Sequence, residues 1–412
     1  MSFRLDLVEC NSVDEIKRKL SATLDGYAEL FPQSKNASIL LKPNLNANMN
    51  ALTGNTTDLR LLAAVIEHLK DRGYGNITIG EGTNSGYYRS NISVISRLLV
   101  DKLASYYGIK VIDLNYSEIH QIEFADGVKA GVAKDVVDAD FLINIPKLKT
   151  HFEAGMSVCL KNLMGCLVGQ ENKKKTHKNL SRNILHINEH IRPDIHIVDG
   201  LIAMEGLGPT RGTPVKMNLL IAGTDPYLID LVCAKIARFD YRDVKTLNVA
   251  ESLGRLTSEH HSYADAVDLS KFKREFAPPK AGPIATFIHH PKRQKYFLAI
   301  RNTRLFTALC STKLAGKILY ATGLRQDVFI DDEMNCEKLS VNMNKCTECK
   351  KCKEYCPVSI NLPVDLEKTD NGCIHCLYCY LVCPETAIEF KGELGFMNEQ
   401  LRQYDHIVRK IT

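Results

Sequence analysis

Eight cysteines near the end of the chain have a spacing that suits metal-cluster chemistry. They occur in two stretches, CTECKKCKEYCP from Cys346 and CIHCLYCYLVCP from Cys373, and successive cysteines in each are separated by two, two and three residues. Thiolates are soft donors for iron, and this spacing is typical of cysteines that bind a cubane [4Fe–4S] cluster. The sequence therefore predicts two such clusters.

The two stretches resemble those of two-cluster bacterial ferredoxins over about residues 340–392. In those proteins the fourth cysteine of each run binds the cluster of the other run. The resemblance therefore assigns one cluster to Cys346, Cys349, Cys352 and Cys383, and the second cluster to Cys373, Cys376, Cys379 and Cys356.

Zinc and disulfide bonds are the alternatives for these cysteines. Structural zinc takes two separated pairs of ligands around one ion, and four thiols packed this closely along the chain are too dense for that arrangement. Disulfides need an oxidising compartment and therefore an export signal. The first twenty residues contain no apolar core of a signal peptide. We therefore expect a cytoplasmic protein, with contact at the inner face of the membrane as an alternative.

Most of the 412 residues lie outside the cysteine stretches, and their 45% hydrophobic and 25% charged composition is typical of a globular protein. In the first 270 residues, short apolar runs such as ASILLKPNL (37–45) alternate with helical stretches such as DLRLLAAVIEHLKDRG (58–73). This alternation predicts an α/β domain with a mostly parallel sheet flanked by helices. Further helices are expected at about 154–167 and 180–191.

The stretch FAPPKAGP (276–283) predicts a break between domains. The expected organisation is an α/β domain at 1–270, a linker with a basic helical segment at 271–335, a small α+β two-cluster ferredoxin-like domain at 336–395, and a tail at 396–412.

The basic segment carries nine Lys or Arg and no acid between Glu275 and Asp327. Apolar residues interleave with these charges at helical spacing. Residues 280–325 can therefore pack on the main domain, contact an anionic membrane surface or dock a partner protein. Nucleic acid is not expected as a partner, because stacking aromatics on a β-sheet platform are lacking.

Polar residues follow several strands of the predicted α/β domain, at the edge where ligands bind in open α/β sheets. Lys147 and Lys149 directly follow an apolar strand, with His151 close behind. Histidine suits proton transfer near neutral pH, and lysines can hold a carboxylate or phosphate. The predicted catalytic residues are His151, Lys147, Lys149 and Glu81, and the predicted substrate-binding residues are Lys42, Asn44, Lys161 and Asn162.

Simpler interpretations of these residues stay open. Each lysine can be a solvated loop residue, and Glu81 or Asp58 can be either a second acid/base group or the ionic partner of a lysine.

Several segments of the domain resemble a known family. They include LLKPNL (40–45), IGEGT (79–83), INIPKLKTH (143–151) and VCLKNLMGC (158–166), followed by GTDPYLIDLVCAKI. They run in order through about residues 38–250 and resemble the uncharacterised family called domain of unknown function 362, some members of which carry a ferredoxin module. The resemblance implies an architecture and no particular activity.

Two functions remain for the whole chain. It can be a reductase, in which two [4Fe–4S] clusters relay single electrons to a lysine-rich pocket that binds an anionic substrate. It can instead be a non-catalytic electron-transfer or assembly subunit that docks a redox partner protein or a membrane surface. Lysines that converge on a closed site favour the reductase, whereas lysines that point into solvent favour the carrier.

Overall fold

A computed structural model describes residues 3–83, 92–279, 303, 332–368 and 371–412 of the protein. Most of the predicted basic segment lies outside the described residues, so its predicted contacts stay predictions.

The fold is mixed α/β with a mostly parallel central sheet flanked by helices. Within the described residues this sheet has nine strands, and its main path runs in the order β1-β11-β10-β7-β2-β3-β4, with β8 and β9 attached beside β10. A separate antiparallel pair, β5 and β6, follows β4. The strands are β1 (Leu5–Glu9), β2 (Ile39–Pro43), β3 (Ile77–Glu81), β4 (Lys110–Asp113), β5 (Ile119–Glu123), β6 (Lys129–Ala133), β7 (Phe141–Ile145), β8 (Lys147–His151), β9 (Gly155–Ser157), β10 (Ile195–Glu205) and β11 (Thr213–Gly223).

Helices cover both faces of this sheet. They are α1 (Val13–Asp25), α2 (Leu59–Asp71), α3 (Val94–Arg97), α4 (Val100–Tyr107), α5 (Lys134–Val137), α6 (Cys159–Asn162), α7 (Gly169–Thr176), α8 (Leu180–His190), α9 (Pro226–Ile236), α10 (Lys245–Ser252) and α11 (Ser258–Ala266). Successive residues of a strand point to opposite faces. Accordingly, Leu41 of β2 packs in one core with Ile66 of α2, while Leu40 packs in another with Ile187 of α8.

Helix α2 forms where the sequence predicts it. The side chain of Asp58 caps its first turn by accepting a hydrogen bond from the Arg60 amide, as is common at helix starts. Gly73 follows the helix with φ of 82°, a conformation that glycine adopts without steric cost. Among the described residues, no helix has the length and hydrophobicity to cross a membrane.

The C-terminal part contains a small antiparallel sheet of β12 (Asn335–Val341) and β13 (Ile388–Glu393), with the helices α12 (Lys351–Glu354), α13 (Tyr378–Val382) and α14 (Met397–Ile411). The predicted tail at 396–412 is therefore largely helical. Its Gln400 side chain accepts a hydrogen bond from the Asn50 amide at 2.8 Å, and its Tyr404 hydroxyl donates to the Gly212 carbonyl at 3.2 Å. These contacts fix α14 on the α/β part.

Two local predictions are wrong. The first residues of the helix expected at about 154–167 form the strand β9, and only α6 and a short 3₁₀ turn are helical in that range. Lys147 and Lys149 lie in the strand β8 rather than in a loop. The alternation in this strand explains the difference, since Leu148 enters the apolar core while the two lysines point to the opposite face.

Candidate functional site

A pocket in the C-terminal part is lined by Cys346, Cys349, Cys352 and Cys383. It encloses about 350 Å³ of space between atoms, part of which is open to solvent. Three of the four cysteines come from the first stretch and the fourth comes from the second. The chain therefore brings together the four thiols that the sequence assigns to one cluster.

Cys356, Cys373, Cys376 and Cys379 form a second group. Burial raises the pKa of the Cys376 thiol well above its usual value, and its neighbours Cys356, Cys379 and Cys373 raise it further. Such mutual effects require charges that lie close together. Cys356 of the first stretch is therefore close to the cysteines of the second stretch.

A single metal ion and a cubane need different spacings of their ligands. Around tetrahedral zinc, with Zn–S near 2.3 Å, thiolates lie about 3.8 Å apart. Among the described residues, no group of three or more His, Cys, Asp or Glu side chains is arranged to hold a metal ion. A cubane carries each thiolate on a separate iron atom and so needs its ligands further apart. The donor set and its lining of a pocket fit a cubane.

Both cysteine stretches follow the same backbone path. Non-glycine residues with positive φ occur two, four and thirteen positions after the first cysteine of each stretch: Glu348, Lys350 and Ser359 in the first, and His375, Leu377 and Thr386 in the second. Such conformations are costly for non-glycine residues and persist where the surrounding structure requires them. Here they turn the chain around each group of thiols.

Backbone amides point at several of these sulfur atoms. The amide of Ala387 donates to Cys383 Sγ at 3.2 Å, and the amide of His375 donates to Cys373 Sγ at 3.4 Å. Burial raises the pKa of Cys356, and backbone hydrogen bonds from the residues that follow it lower the pKa again. Donors of this kind stabilise thiolates and tune the potential of iron–sulfur clusters.

The second cysteine group adjoins the start of helix α2. Tyr378, which lies between Cys376 and Cys379, accepts a hydrogen bond at its hydroxyl from the Leu59 amide at 3.2 Å. The guanidinium of Arg60 lies 4.1 Å from the centre of the Tyr355 ring. The part of the chain that carries both cysteine stretches, here called the cysteine module, is therefore packed against one edge of the sheet. The predicted lysine site lies at the same edge.

Lys42 at the end of β2 pairs with Glu81 at the end of β3, the neighbouring strand. Lys42 Nζ lies 2.8 Å from Glu81 Oε1 and also donates to the Pro43 carbonyl at 2.8 Å. The other carboxylate oxygen of Glu81 accepts from the Leu45 amide at 2.8 Å. Both side chains are buried. Of the two roles left open for Glu81, the structure supports that of ionic partner.

Gly165 lies directly on this pair. A Cβ atom at Gly165 would fall 2.1 Å from Glu81 Oε1 and 2.7 Å from Lys42 Nζ. We expect Gly165→Ala to destabilise the protein by about 1–3 kcal/mol, since buried groups must move to make room. Gly75→Ala is the control, because a Cβ at Gly75 meets nothing within 4 Å. Urea denaturation of both variants tests this, and equal stability would contradict it.

A second buried ion pair joins Lys147 of β8 to Asp199 of β10, with 2.9 Å between Nζ and Oδ2. The Asp199 carboxylate also accepts from the amides of Asp58 and Leu201, at 2.7 and 3.0 Å. Asp58 in turn forms two side-chain hydrogen bonds with Arg60, at 3.1 and 2.7 Å. Hydrogen bonds from Arg60 through Asp58 and Asp199 thereby connect the junction with the cysteine module to Lys147.

Lys149 is buried without a carboxylate partner. Its Nζ donates to Asn44 Oδ1 at 2.8 Å, Asn46 Oδ1 at 2.6 Å and the Asn55 carbonyl at 2.7 Å. Burial lowers its pKa well below the usual value, and Lys161 and Lys147 lower it further. Three neutral acceptors fully occupy the ammonium donors of this lysine.

Asn44 and Asn162 hold this network together. Asn44 Nδ2 donates to Asn162 Oδ1 at 2.8 Å, and Asn162 Nδ2 donates to Asn144 Oδ1 at 2.7 Å. Asn144 reaches the ring of His196 at 3.0 Å. The two predicted substrate-binding asparagines are therefore brought together, with their side-chain hydrogen bonds directed to the protein.

His151 at the end of β8 is only 6% exposed. Its Nδ1 accepts hydrogen bonds from the amides of Glu153 and Ala154, at 3.1 and 3.2 Å. The proton of the neutral ring therefore lies on Nε2. Burial lowers the pKa of His151 well below its usual value, with further lowering by Lys161 and Lys149. His151 is thus neutral near pH 7 and can donate a hydrogen bond from Nε2.

Lys161 in α6 differs from the other three lysines. It is half-buried, and within the described part of the chain its Nζ has no hydrogen-bond or ion-pair partner. Burial lowers its pKa to about 8, an effect that Glu153 opposes. The charge of Lys161 is close enough to His151 to lower the pKa of that ring.

The chain is similar to a solved structure, to a protein family and to a known protein. The structure of the lactate racemase apoprotein from Thermoanaerobacterium thermosaccharolyticum is similar, with a TM-score of 0.35 and 14% identity. The match covers 57% of this chain and 57% of that chain. The model of the family described as domain of unknown function (DUF362) matches residues 39–235.

One curated relative, Thylakoid-associated protein sll1697 from Synechocystis sp. (strain ATCC 27184 / PCC 6803 / Kazusa), is 30% identical over 237 residues. The match covers 52% of this chain and 68% of the relative. The chain belongs to the DUF362 family. The resemblance predicted from its segments is thereby confirmed.

The DUF362 match contains all the predicted lysines, Glu81 and His151, and ends before the cysteine stretches. The ferredoxin resemblance and the domain boundaries stay predictions.

Sequence reasoning did not identify several members of the site in this DUF362 protein. Asn46 and Asn55 bind Lys149, and Lys173 donates to the carbonyls of Gly82 and Thr83 at 3.0 and 2.8 Å. Lys173 lies in NKKKTHK (172–178), a run of charges that by itself is typical of a solvated loop. It forms part of α7, and burial lowers its pKa to about 8.

Proposed function

We propose that this DUF362 protein binds two [4Fe–4S] clusters that relay single electrons to an anionic substrate in the α/β part, and that it acts as a reductase. The observation that carries the proposal is the arrangement of the eight cysteines in two groups, each with its fourth thiol taken from the other stretch. The repeated backbone path and the amide donors to sulfur also support it.

The residues of the chain have distinct tasks in this proposal. A bound cubane supplies one-electron chemistry. The cysteines hold the clusters, and the amides of His375 and Ala387 stabilise negative charge on their thiolates. Packing of Tyr378 against Leu59 fixes the second group beside the α/β part and excludes water from that junction.

Metal and sulfide analysis of anaerobically purified protein tests the first half of the proposal. We expect about eight iron and about eight sulfide per chain, and an electron paramagnetic resonance (EPR) signal after reduction with dithionite. Stoichiometric zinc without sulfide, or about four iron in well-protected protein, would contradict the assignment.

We propose Lys161 and His151 as the residues that meet the substrate. Lys42 and Lys147 are paired with carboxylates, and Lys149 is held by neutral oxygens. These three therefore support the architecture of the site. The ammonium of Lys161 holds a carboxylate or phosphate, and the neutral ring of His151 donates a hydrogen bond to it from Nε2.

This assignment predicts pH-dependent anion binding. With a pKa near 8, Lys161 is charged below pH 8 and loses its charge above it. Affinity for sulfate, whose own charge is constant in this range, is expected to fall about tenfold between pH 7 and pH 9. Isothermal titration calorimetry measures this affinity.

Two variants separate the roles of the lysines. Lys161→Gln should weaken sulfate binding at pH 7 and remove the pH step. Lys173→Gln is the matched control, since the pKa of Lys173 is also about 8 but its ammonium is held by carbonyl oxygens. A pH step that survives in Lys161→Gln would refute the assignment.

A non-catalytic electron-transfer or assembly subunit is the second candidate. The internal partners of Lys42, Lys147 and Lys149 favour it, because a site satisfied within the protein needs no substrate. The name of the thylakoid-associated relative favours a membrane contact for such a subunit at the inner, cytoplasmic face. Residues 280–325 are the proposed contact, and a redox partner protein would bind in addition.

Vesicle binding tests this second candidate. The full chain should co-sediment with vesicles that contain anionic phosphatidylglycerol and not with neutral phosphatidylcholine vesicles, and added salt should release it. Equal recovery with both vesicle types would rule out an electrostatic membrane contact.

A further inference from the structure

A lysine of the α/β part reaches into the cysteine module. Lys17 of α1 donates from Nζ to the Ser359 hydroxyl at 2.8 Å. Ser359 lies three residues after Cys356, and its backbone amide donates to the Cys356 carbonyl at 3.1 Å. Lys17 is therefore a positive charge, fixed from outside the module, within reach of the second cysteine group.

The surroundings of Lys17 hold this charge in position. Its Nζ also pairs with Glu67 of α2 at 2.7 Å, and Glu67 accepts a hydrogen bond from the Tyr107 hydroxyl at 2.5 Å. The side chain of Lys17 is 19% exposed and that of Glu67 is 32% exposed. Solvent therefore screens the pair only in part.

We propose that Lys17 is a positioning residue that raises the midpoint potential of the cluster bound by Cys356, Cys373, Cys376 and Cys379. The inference rests on the proposed function, because it requires that cluster. Reduction adds one negative charge to a cluster, and a nearby cation stabilises the added charge. The α/β part thereby favours reduction of the cluster that it contacts.

Redox titration of the anaerobic holoprotein, followed by EPR, tests the proposal at low ionic strength. Lys17→Gln should lower the midpoint potential of one of the two clusters and leave the other unchanged. Lys17→Arg keeps the charge and should restore the potential. Lys19→Gln is the matched control: Lys19 lies on the same helix and also pairs with a glutamate, Glu15 at 2.9 Å, but its other hydrogen bond goes to the Glu9 carbonyl rather than to the cysteine module. It should shift neither potential.

The charge of Glu67 gives an independent test with the opposite sign. Glu67→Gln removes a negative charge next to Lys17 and should raise the same midpoint potential. If Lys17→Gln fails to assemble both clusters, the midpoint potential of Glu67→Gln decides whether this pair of charges affects the cluster. Unchanged potentials in the assembled variants would overturn the role of Lys17 alone, whereas a wild-type protein without two clusters would overturn the proposed function itself.

Discussion

Cys356→Ala is expected to abolish the cluster of the second cysteine group and to leave the first cluster intact. Cys356 belongs to the first stretch in sequence, but its neighbours are Cys373, Cys376 and Cys379. The first pocket is instead completed by Cys383. Iron should therefore fall from about eight to about four atoms per chain.

Double variants show which cluster was lost. Cys356→Ala combined with Cys376→Ala should retain about four iron, because both ligands serve the same cluster. Cys356→Ala combined with Cys352→Ala should lose both clusters and nearly all iron. The reverse pattern would mean that each stretch holds its own cluster, and it would contradict the crossed assignment.

The parts of the fold that depend on short-range signals were predictable. The start of α2 follows from Asp58, whose side chain caps the helix, and its end follows from Gly73. The β5–β6 pair lies where an Asp-Gly turn stands between alternating apolar residues. The cysteine groups were predictable because the fixed spacing of the cysteines is typical of cluster ligands.

The partners of the lysines were not predictable, because they are distant in sequence. Glu81 lies 39 positions after Lys42, Asp199 lies 52 after Lys147, and the Lys149 ligand Asn44 is 105 positions away. Sequence alone does not give the strand order that brings these residues together.

The buried acids of the sheet could have reduced the number of lysines considered for substrate binding. Glu81 and Asp199 each follow buried apolar residues of a strand, and a carboxylate in such a position needs a cation. Two buried acids and four lysines at the same edge of the sheet imply that two lysines are occupied by carboxylates. This reasoning leaves two of the four lysines for other tasks, and only the structure shows that these are Lys149 and Lys161.

Loss of the Lys147–Asp199 pair is expected to have the largest effect on stability. Both side chains are fully buried, and the Asp199 carboxylate would keep only two amide donors in Lys147→Met. Removal of one partner of a buried pair costs about 3–5 kcal/mol, because the other charge remains without compensation. Urea denaturation under anaerobic conditions measures the loss.

The double variant Lys147→Met, Asp199→Asn should recover part of this loss. It removes the second charge, and the asparagine oxygen still accepts one of the two amide hydrogen bonds. The remaining cost is that of one buried amide left without an acceptor, about 1–3 kcal/mol. Lys134→Met is the control, since Lys134 and its partner Glu118 are 51% and 81% exposed and their pairing should not affect stability measurably. A double variant as unstable as Lys147→Met would mean that the pair stabilises the fold through packing rather than charge compensation.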